Sequence, residues 1–391
     1  MNHHFDVLIV GGGVVGLTAA LAMAARQYRV AVIDAQSLTV NISAPDLRVY
    51  AINQASENLL KELDVWEKLE STRLSPYLHM HVWDAANGAY IDFDARQIAS
   101  AKLGSILEES ILKQALLTQI ATQTTISLFP QCAVDAVTEL AQGVEIKSQD
   151  QVWQGDLLMI ADGANSPTRN NLGVTLTTWS YQQHALVATV ATEKPHQQTA
   201  YQVFNSDGPL AFLPLANPQQ CSIVWSTTPA KAQRLLDLEE NEFNEELTQA
   251  FAEKLGQVRV MSTRHQFPLQ MRHVKQYSGK RWILLGDAAH TIHPLAGLGL
   301  NVGLADVRSW LHFLDKAKGT LHSKKLLGAY HRERQHAVWQ IILQMEGFKR
   351  LFSPEWSSLS TLRGLGLRAC NEFAPLKRLF IQQASGLSAL T

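Results

Sequence analysis

Phe5-Asp6-Val7-Leu8-Ile9-Val10-Gly11-Gly12-Gly13-Val14-Val15-Gly16 is the stretch on which the fold turns. Phe5 to Val10 is a short apolar run of the kind a buried strand requires, and Val14 to Arg26 is alanine-rich text with helical character. Between them the glycines fit GxGxxG. Gly11 turns the chain, Gly13 lets backbone approach a pyrophosphate, and Gly16 allows the helix to pack closely on the strand. Arg29 to Ile33 reads as a second strand, so the unit is βαβ. Asp34 closes that strand about 20 residues after the glycines, where a carboxylate bonds ribose hydroxyls. Taken singly, the glycines could be a structural turn and Asp34 a solvated strand-end carboxylate. Strand, turn, helix and acid in this order point to a bound dinucleotide, its phosphates facing the unpaired N–H groups of the helix start.

The rest of the composition narrows the class. A chain of 391 residues, 46% hydrophobic and 18% charged, has ample material for one large or two closely packed domains. A formal net charge of -1 lacks the positive excess that nucleic-acid binding uses. Cys132, Cys221 and Cys370 are far apart and form no CxxC pair, which suits a reducing compartment and three small core residues rather than disulfides or a zinc site. The N-terminus has no basic region and no long apolar h-region, and no apolar run reaches the roughly 18 residues that span a bilayer. A cytoplasmic protein is expected.

Beyond the first unit, a helix is expected from Ala55 to Leu69, and strands in Tyr77 to Phe93, where His79-Met80-His81-Val82-Trp83 alternates. A helix is expected over Ile106 to Thr122. Short strands follow from Ile126 to Ile160, with a hairpin turn at Ala141-Gln142-Gly143. Strands return between His184 and Trp225, broken by Pro195, Pro209, Pro214 and Pro218. A helical block runs from Pro229 to Leu255, strand text from Val258 to Phe267, a buried strand from Trp282 to Leu285, and mostly helix from Gly299 onward.

Two further glycine-bearing motifs interrupt this text. Leu157-Leu158-Met159-Ile160-Ala161-Asp162-Gly163-Ala164-Asn165-Ser166 is followed by Arg169, and Leu284-Leu285-Gly286-Asp287-Ala288-Ala289-His290 continues through Pro294 to Gly297-Leu298-Gly299-Leu300-Asn301. In the second, a strand delivers a carboxylate to a tight turn and glycines then open a helix. Asp287 there suits a ribitol hydroxyl chain, and the backbone N–H groups suit a pyrophosphate or a flavin carbonyl edge.

Together the three motifs resemble the single-component aromatic-ring flavoprotein hydroxylases with the para-hydroxybenzoate hydroxylase fold, over nearly the whole chain. Pro45 to Asn53, Gly286 to Gly297 and Ala211-Phe212-Leu213-Pro214-Leu215 are similar to the ubiquinone-biosynthesis hydroxylases that act on polyprenylphenols. Trp179 to Thr189 and Cys221 to Ser226 resemble most closely the member that oxidises ring position 5. The expected fold is α/β: a Rossmann-type FAD-binding domain in three parts (1–75, 100–178, 280–330), an inserted β-sheet substrate domain in two (76–99, 179–279), and a helical C-terminal region (331–391).

The resemblance implies that Gly11, Gly13, Gly16 and Asp34 hold the ADP half of FAD, and that Arg48 and Gln114 contact its middle. It links Asp162 and Gly163 to both FAD and NADPH, assigns Asp287 to the ribitol-pyrophosphate region, and places Pro294, Gly297, Gly299, Leu300 and Asn301 beside the isoalloxazine. Two positions depart from the family pattern. Ile160 replaces a usual glycine, which bears on backbone packing near Asp162, and Leu298 replaces a usual glutamine beside the flavin.

Inserting oxygen into a ring needs an electrophilic oxygen, which no side chain supplies. Reduced flavin and O₂ supply it through a hydroperoxide on the flavin ring, with NADPH or NADH as reductant, and the protein positions the partners and excludes water. No acid–base pair stands out. His184, Tyr181 and His293 are candidates for drawing a proton from a phenol, each weighed against a plain, partly buried polar role. Asp287-x-x-His290-x-x-His293 could be drawn as the two-histidine, one-carboxylate set of a non-haem iron site, but that would leave the nucleotide signature without purpose. A flavin oxidase or dehydrogenase on the same fold is the other rival, together with an FAD-dependent binding module. Near the C-terminus, Trp339, Ile342, Leu343, Met345, Phe348, Leu351 and Phe352 recur at helical spacing, with Arg363, Arg368, Lys377 and Arg378 beyond. They form either a helix face packed on its own core or a surface that meets a membrane or a pathway protein.

Overall fold

The computed structural model describes residues 3–292, 298–317, 320–351, 371 and 373–386. It opens with β1 (His3–Val10), α1 (Val14–Ala24) and β2 (Val30–Ile33), the βαβ unit read from the sequence. Every residue of α1 except Val15 is buried, as befits a helix that is apolar all round. β3 (Val49–Asn53) leads into α2 (Gln54–Glu62), whose start is capped by the Asn53 side chain accepting from Ser56 N–H at 2.9 Å. The helix expected to reach Leu69 ends earlier. Asp64 adopts a left-handed φ of 55°, and only a short 3₁₀ turn, Trp66–Lys68, follows.

Next come β4 (Ser75–Tyr77), β5 (His79–Asp84), β6 (Tyr90–Asp94) and β7 (Gly104–Glu108). The expected helix start at Ile106 is thereby corrected: β7 is buried throughout, pairs antiparallel with both β3 and β4, and only then gives way to α3 (Glu109–Ile120). Period alone does not separate a short buried strand from a buried helical turn. β8 (Ile126–Phe129), β9 (Ala136–Leu140), β10 (Gly143–Ser148) and β11 (Gln151–Ile160) follow, β9 and β10 joined by the expected hairpin.

A short α4 (Pro167–Asn171) precedes the long β12 (Leu176–Thr192) and then β13 (Thr199–Asn205), β14 (Gly208–Pro214) and β15 (Gln220–Thr227). Pro209 and Pro214 sit near the two ends of β14 rather than between strands. The helical block divides into α5 (Pro229–Asp237) and α6 (Glu240–Ala250). The strand text beyond it divides too, into β16 (Val258–Val260) and β17 (His265–Val274). Pro268 falls where the β12–β17 register shifts between Ser180 and His184, a bulge at which a missing N–H is tolerated. β18 (Trp282–Leu284), β19 (His290–Thr291), α7 (Leu298–Lys316), α8 (Lys324–Leu351) and a helix at Ala374–Ala384 complete the described chain.

The strands form three sheets. In the first, β8, β2, β1 and β11 run parallel in that order, β10 and β9 extend it antiparallel, and β18 joins β11 in parallel. β11 thus has two neighbours on one side: residues 151–155 pair with β10 and residues 158–160 with β18. α1 packs against α3 and α7 over this sheet and seeds the main core. The second sheet has nine strands, ordered β19-β17-β12-β15-β14-β13-β5-β6 with β16 on β12. One of its faces is sealed by α5 and α6, where Leu235, Phe243, Leu247 and Phe251 meet Leu186, Phe212 and Trp225. The third sheet, β3-β7-β4, bridges the other two. Ala51, Tyr77 and Ile106 pack with Ala200 and Leu213 of the nine-stranded sheet and with Leu215 just beyond β14.

Candidate FAD site

Parallel pairing brings the three sequence motifs together. Val10, Ile160 and Leu284 lie in register on β1, β11 and β18, and the next residues continue the pattern: Ala161 N–H donates to Val10 C=O at 2.8 Å and Leu285 N–H to Ile160 C=O at 2.9 Å. Gly11, Ala161-Asp162-Gly163 and Gly286-Asp287 therefore emerge side by side from the carboxyl ends of adjacent strands, where open α/β sheets bind ligands. Ile160, one of the two departures from the family pattern, is fully buried between its neighbours and leaves the register intact.

The glycines divide by what a Cβ would meet. At Gly11 (φ 107°) it would lie 2.3 Å from the Ala161 carbonyl oxygen, and at Gly16 1.9 Å from that of Gly11. These two are demanded by the protein's own packing. At Gly13 a Cβ would meet nothing within 4 Å, although this residue heads α1 in extended conformation with no side chain capping the helix. An uncapped helix start with open space before it is a ready anion site. Asp34 accepts from Gly12 N–H at 2.5 Å and from Gln36 N–H at 2.7 Å, so it orders the glycine loop and keeps lone pairs for ribose hydroxyls.

Asp162 holds Thr168 N–H at 3.2 Å through Oδ2, while its buried Oδ1 has no partner. Gly163 (φ 87°) again faces open space. Arg169, 2% exposed, donates to Ala164 C=O at 3.2 Å and to Ala288 C=O at 3.0 Å, lashing the Asp162 loop to the Gly286-Asp287 turn. Burial pushes the Asp287 carboxyl above its ordinary range despite the opposing pull of Arg48, and no hydrogen bond reaches it among the described residues. Arg48, its side chain 64% exposed, lies 3.3 Å from Glu109 and 5.2 Å from the Tyr50 ring centroid. Burial likewise raises the Tyr50 hydroxyl, which shares a hydrogen bond with Glu109. Gln114 is half-buried on α3, its side-chain amide donating to Thr118 Oγ1 at 3.4 Å. An orphaned Asp162 oxygen, an Asp287 carboxylate without a hydrogen-bond partner among the described residues, a largely exposed Arg48 side chain and an open helix start are the groups FAD would satisfy, so the residues present fit it.

Other expectations land differently. Asn301, 6% exposed, is taken up by the third sheet: it donates to Ala51 C=O at 2.7 Å and accepts from Asn53 N–H at 3.0 Å. Leu300 packs partly buried on the main core, and Gly299 faces open space. His293, Pro294 and Gly297 lie outside the described residues, as does the Leu298 side chain. His290 is committed to Asp306 at 2.8 Å, which removes a ligand from the iron drawing, and among the described residues no group of three His, Cys, Asp or Glu could hold a metal ion. His184 bonds Gln266 at 3.0 Å, and Gln266 in turn bonds Gln233 of α5, away from the glycine loops. Tyr181 is 4% exposed in the core.

Sequence reading missed Asp306, Arg73 and Glu108. Arg73 pairs with Glu108 and donates to Ile42 C=O at 2.5 Å and Ala44 C=O at 3.2 Å, while Glu108 accepts Asp46 N–H at 2.6 Å. Together they clamp the loop that carries Arg48. The available signal for Asp306 was a carboxylate at helical spacing between the apolar Val302 and Trp310.

The family described as FAD binding domain matches residues 4–345. The chain belongs to this FAD-binding family. Among family relatives, the 3-demethoxyubiquinol 3-hydroxylase of Escherichia coli K12 is 34% identical over 99% of this chain and 100% of its own length. A ubiquinone hydroxylase of Rhodospirillum rubrum is 33% identical over 97% of this chain and 89% of its own. The same fold occurs in the crystal structure of p-nitrophenol 4-monooxygenase from Pseudomonas putida, with TM-score 0.80, 17% identity and full coverage of both chains.

Proposed function

We propose that the protein is an FAD-dependent monooxygenase that hydroxylates the aromatic ring of a polyprenylphenol in ubiquinone biosynthesis. The observation that carries this is the convergence of the Gly11, Asp162 and Asp287 loops at three adjacent strand ends, in a chain aligned end to end with a demethoxyubiquinol hydroxylase. In the overall reaction the phenol, O₂, NAD(P)H and a proton yield the hydroxylated phenol, water and NAD(P)⁺. Bound FAD supplies the electron relay and oxygen activation that side chains cannot.

In this reading Gly13 and the head of α1 receive the pyrophosphate, with Gly11 and Gly16 shaping the loop, and Asp34 receives the ribose. Arg48 and Gln114 flank the middle of the cofactor. Asp162 and Gly163 serve FAD and the nicotinamide donor, and Asp287 takes the ribitol. Gly299, Leu300, Asn301, Pro294 and Gly297 border the ring system, Asn301 by fixing β3 against α7. The substrate ring belongs on the sheet face opposite α5 and α6, since Ala200, Leu213 and Leu215 there pack with Ala51, which is bonded to the head of α7. Apolar walls on that side suit a prenyl tail and exclude water.

The deciding experiment is anaerobic reduction of the flavoprotein by NADPH and by NADH, with and without a short-chain prenylphenol, followed by O₂ and mass analysis. Ligand-stimulated reduction and a gain of one oxygen support the reading. Peroxide as the only product leaves an oxidase or the wrong substrate, and absence of flavin altogether sinks the reading. The ring carbon is read from the product: position 5 is expected from Trp179 to Thr189, whereas the E. coli relative is named for position 3.

A lipid-tailed substrate also motivates a peripheral membrane contact through α8 and the helix at Ala374–Ala384. No described helix is long and apolar enough to cross a membrane. The apolar positions of α8 do not share one face: Ile342 and Met345 are buried, the latter against Phe204, while Trp339 and Leu343 are exposed. Lys377 is buried, Arg378 is exposed and Phe373 is exposed; Phe352, Arg363 and Arg368 lie outside the described residues. Equal liposome flotation of the full chain and of a folded Trp339→Ser/Leu343→Ser variant would eliminate α8 as the contact.

A further inference from the structure

Asp306 is completely buried on α7 and accepts three hydrogen bonds: from Gly286 N–H at 2.7 Å, His290 Nε2 at 2.8 Å and Arg334 Nε at 2.6 Å. Burial alone would raise its carboxyl. His290, Arg334 and the Gly286 amide more than offset this and hold it below the usual carboxylate range. Arg334, 4% exposed on α8, also reaches Val302 C=O at 3.4 Å and Glu333 at 3.5 Å, and Glu333 accepts from Ser309 Oγ at 2.5 Å. The cluster therefore joins α8, α7, the turn after β18 and β19.

Its placement is specific. Gly286 and His290 bracket Asp287, the one carboxylate of this turn that has no hydrogen-bond partner among the described residues. Gly286 needs its left-handed φ of 57°, and Val15 of α1 lies 3.2 Å from where its Cβ would be. A turn headed by a glycine has many conformations open to it and stays in one only when its surroundings hold it there. Here Asp306 grips the residue before Asp287 and the side chain three residues after it, while Arg169 grips Ala288 C=O.

We infer that His290 and Asp306, backed by Arg334, are positioning residues that lock the Gly286–His290 turn so that Asp287 is presented to the FAD ribitol. This rests on the FAD reading of Asp287. These hydrogen bonds of His290 and Asp306 go to protein groups, so the pair would act on the cofactor through Asp287. The pair fixes the backbone on both sides of Asp287 and so limits how far its carboxylate can shift.

The test compares His290→Leu, His290→Gln and His290→Asn with Asp287→Ala. FAD dissociation constants are read from flavin fluorescence, and apoprotein stability from denaturant midpoints. Losing a charge-assisted bond at the turn is expected to raise the FAD dissociation constant about tenfold or more in His290→Leu. Glutamine is long enough to donate to Asp306 and is expected to restore affinity to within about threefold; asparagine is too short and is not. A purely structural role would lower apoprotein stability in all three without this Gln/Asn split. Should His290→Leu not fold, the Gln/Asn pair carries the test alone. Equal FAD affinity in the Gln and Asn variants overturns the inference. Wild-type affinity in Asp287→Ala would instead overturn the FAD reading of Asp287 on which it rests.

Discussion

Gly13→Ala and Gly16→Ala make a matched pair, because the same methyl group meets opposite surroundings. At Gly16 the new Cβ would lie 1.9 Å from the Gly11 carbonyl oxygen, about 1.5 Å short of ordinary contact, and the obstacle is backbone. α1 must then move off β1 within the main core. Overpacking of this kind costs about 1–3 kcal/mol, only partly offset by the roughly 1 kcal/mol that alanine gains over glycine inside a helix. Gly13 has φ −77° and ψ 178°, which any residue adopts, and an added Cβ meets nothing. Reduced unfolded-state entropy and the poorer helix-capping of alanine oppose each other there, so apoprotein stability should stay within about 1 kcal/mol of wild type. The methyl does occupy the gap through which a pyrophosphate approaches the helix N–H groups. Denaturant midpoints of the apoproteins and flavin-fluorescence titrations with FAD separate the two effects: Gly16→Ala is expected to lose stability, and Gly13→Ala to keep stability but bind FAD at least about tenfold more weakly. Wild-type FAD affinity in Gly13→Ala would refute the assignment of the α1 head as the phosphate site.

Three other outcomes follow from the same geometry. Asp287 carries a carboxyl raised by burial, so its ionised form disfavours the folded apoprotein above the raised pKa and the penalty is relieved as pH falls through it. Asp287→Asn apoprotein should therefore match or exceed wild-type stability at pH 7 while binding FAD more weakly; a clear loss of apoprotein stability would contradict the unpaired state of the carboxylate. His273, 1% exposed, is held neutral by burial down to a pKa of about 4, with His290 adding to the effect. The unfolded chain takes up this proton below about pH 6.5, so stability should fall between there and pH 4 by roughly 3 kcal/mol from this residue, and His273→Phe should flatten the slope in pH-dependent melts. Arg73→Ala removes the clamp on residues 42–46 and leaves Glu108 without its cation, costing about 2 kcal/mol and exposing that loop to limited proteolysis. Unchanged cleavage there would show that the loop is held by other contacts.

The glycine motifs were legible because their geometry is local: a strand end, a forced turn and a helix start occupy consecutive residues. Why Gly11 and Gly16 cannot be replaced was only half legible, since the atom that crowds Gly11 belongs to Ala161, which parallel pairing brings back from far along the chain. β7 was hidden because a short run buried on both faces has no period to read. Asp306 and His290 are sixteen positions apart on different elements, and nothing in either neighbourhood announces the bond between them. Asn301, which the family resemblance placed beside the isoalloxazine, also bonds β3 backbone at Ala51 and Asn53, about 250 positions away, a link no local pattern announces.

The double partnership of β11 also sets the order in which the molecule can be finished during synthesis. β1 and β2 leave the ribosome early, β11 follows at residues 151–160, and its second parallel neighbour is not made until Trp282–Leu284. Six of the nine strands of the second sheet, β12 to β17, are translated in between, and α7 with Asp306 comes later still. A nascent chain therefore carries an incomplete cradle through most of its translation, with strand edges exposed over a long interval. FAD supply during expression should govern yield at the moment of release rather than during elongation, and chains cut short before residue 282 should gain nothing from added flavin.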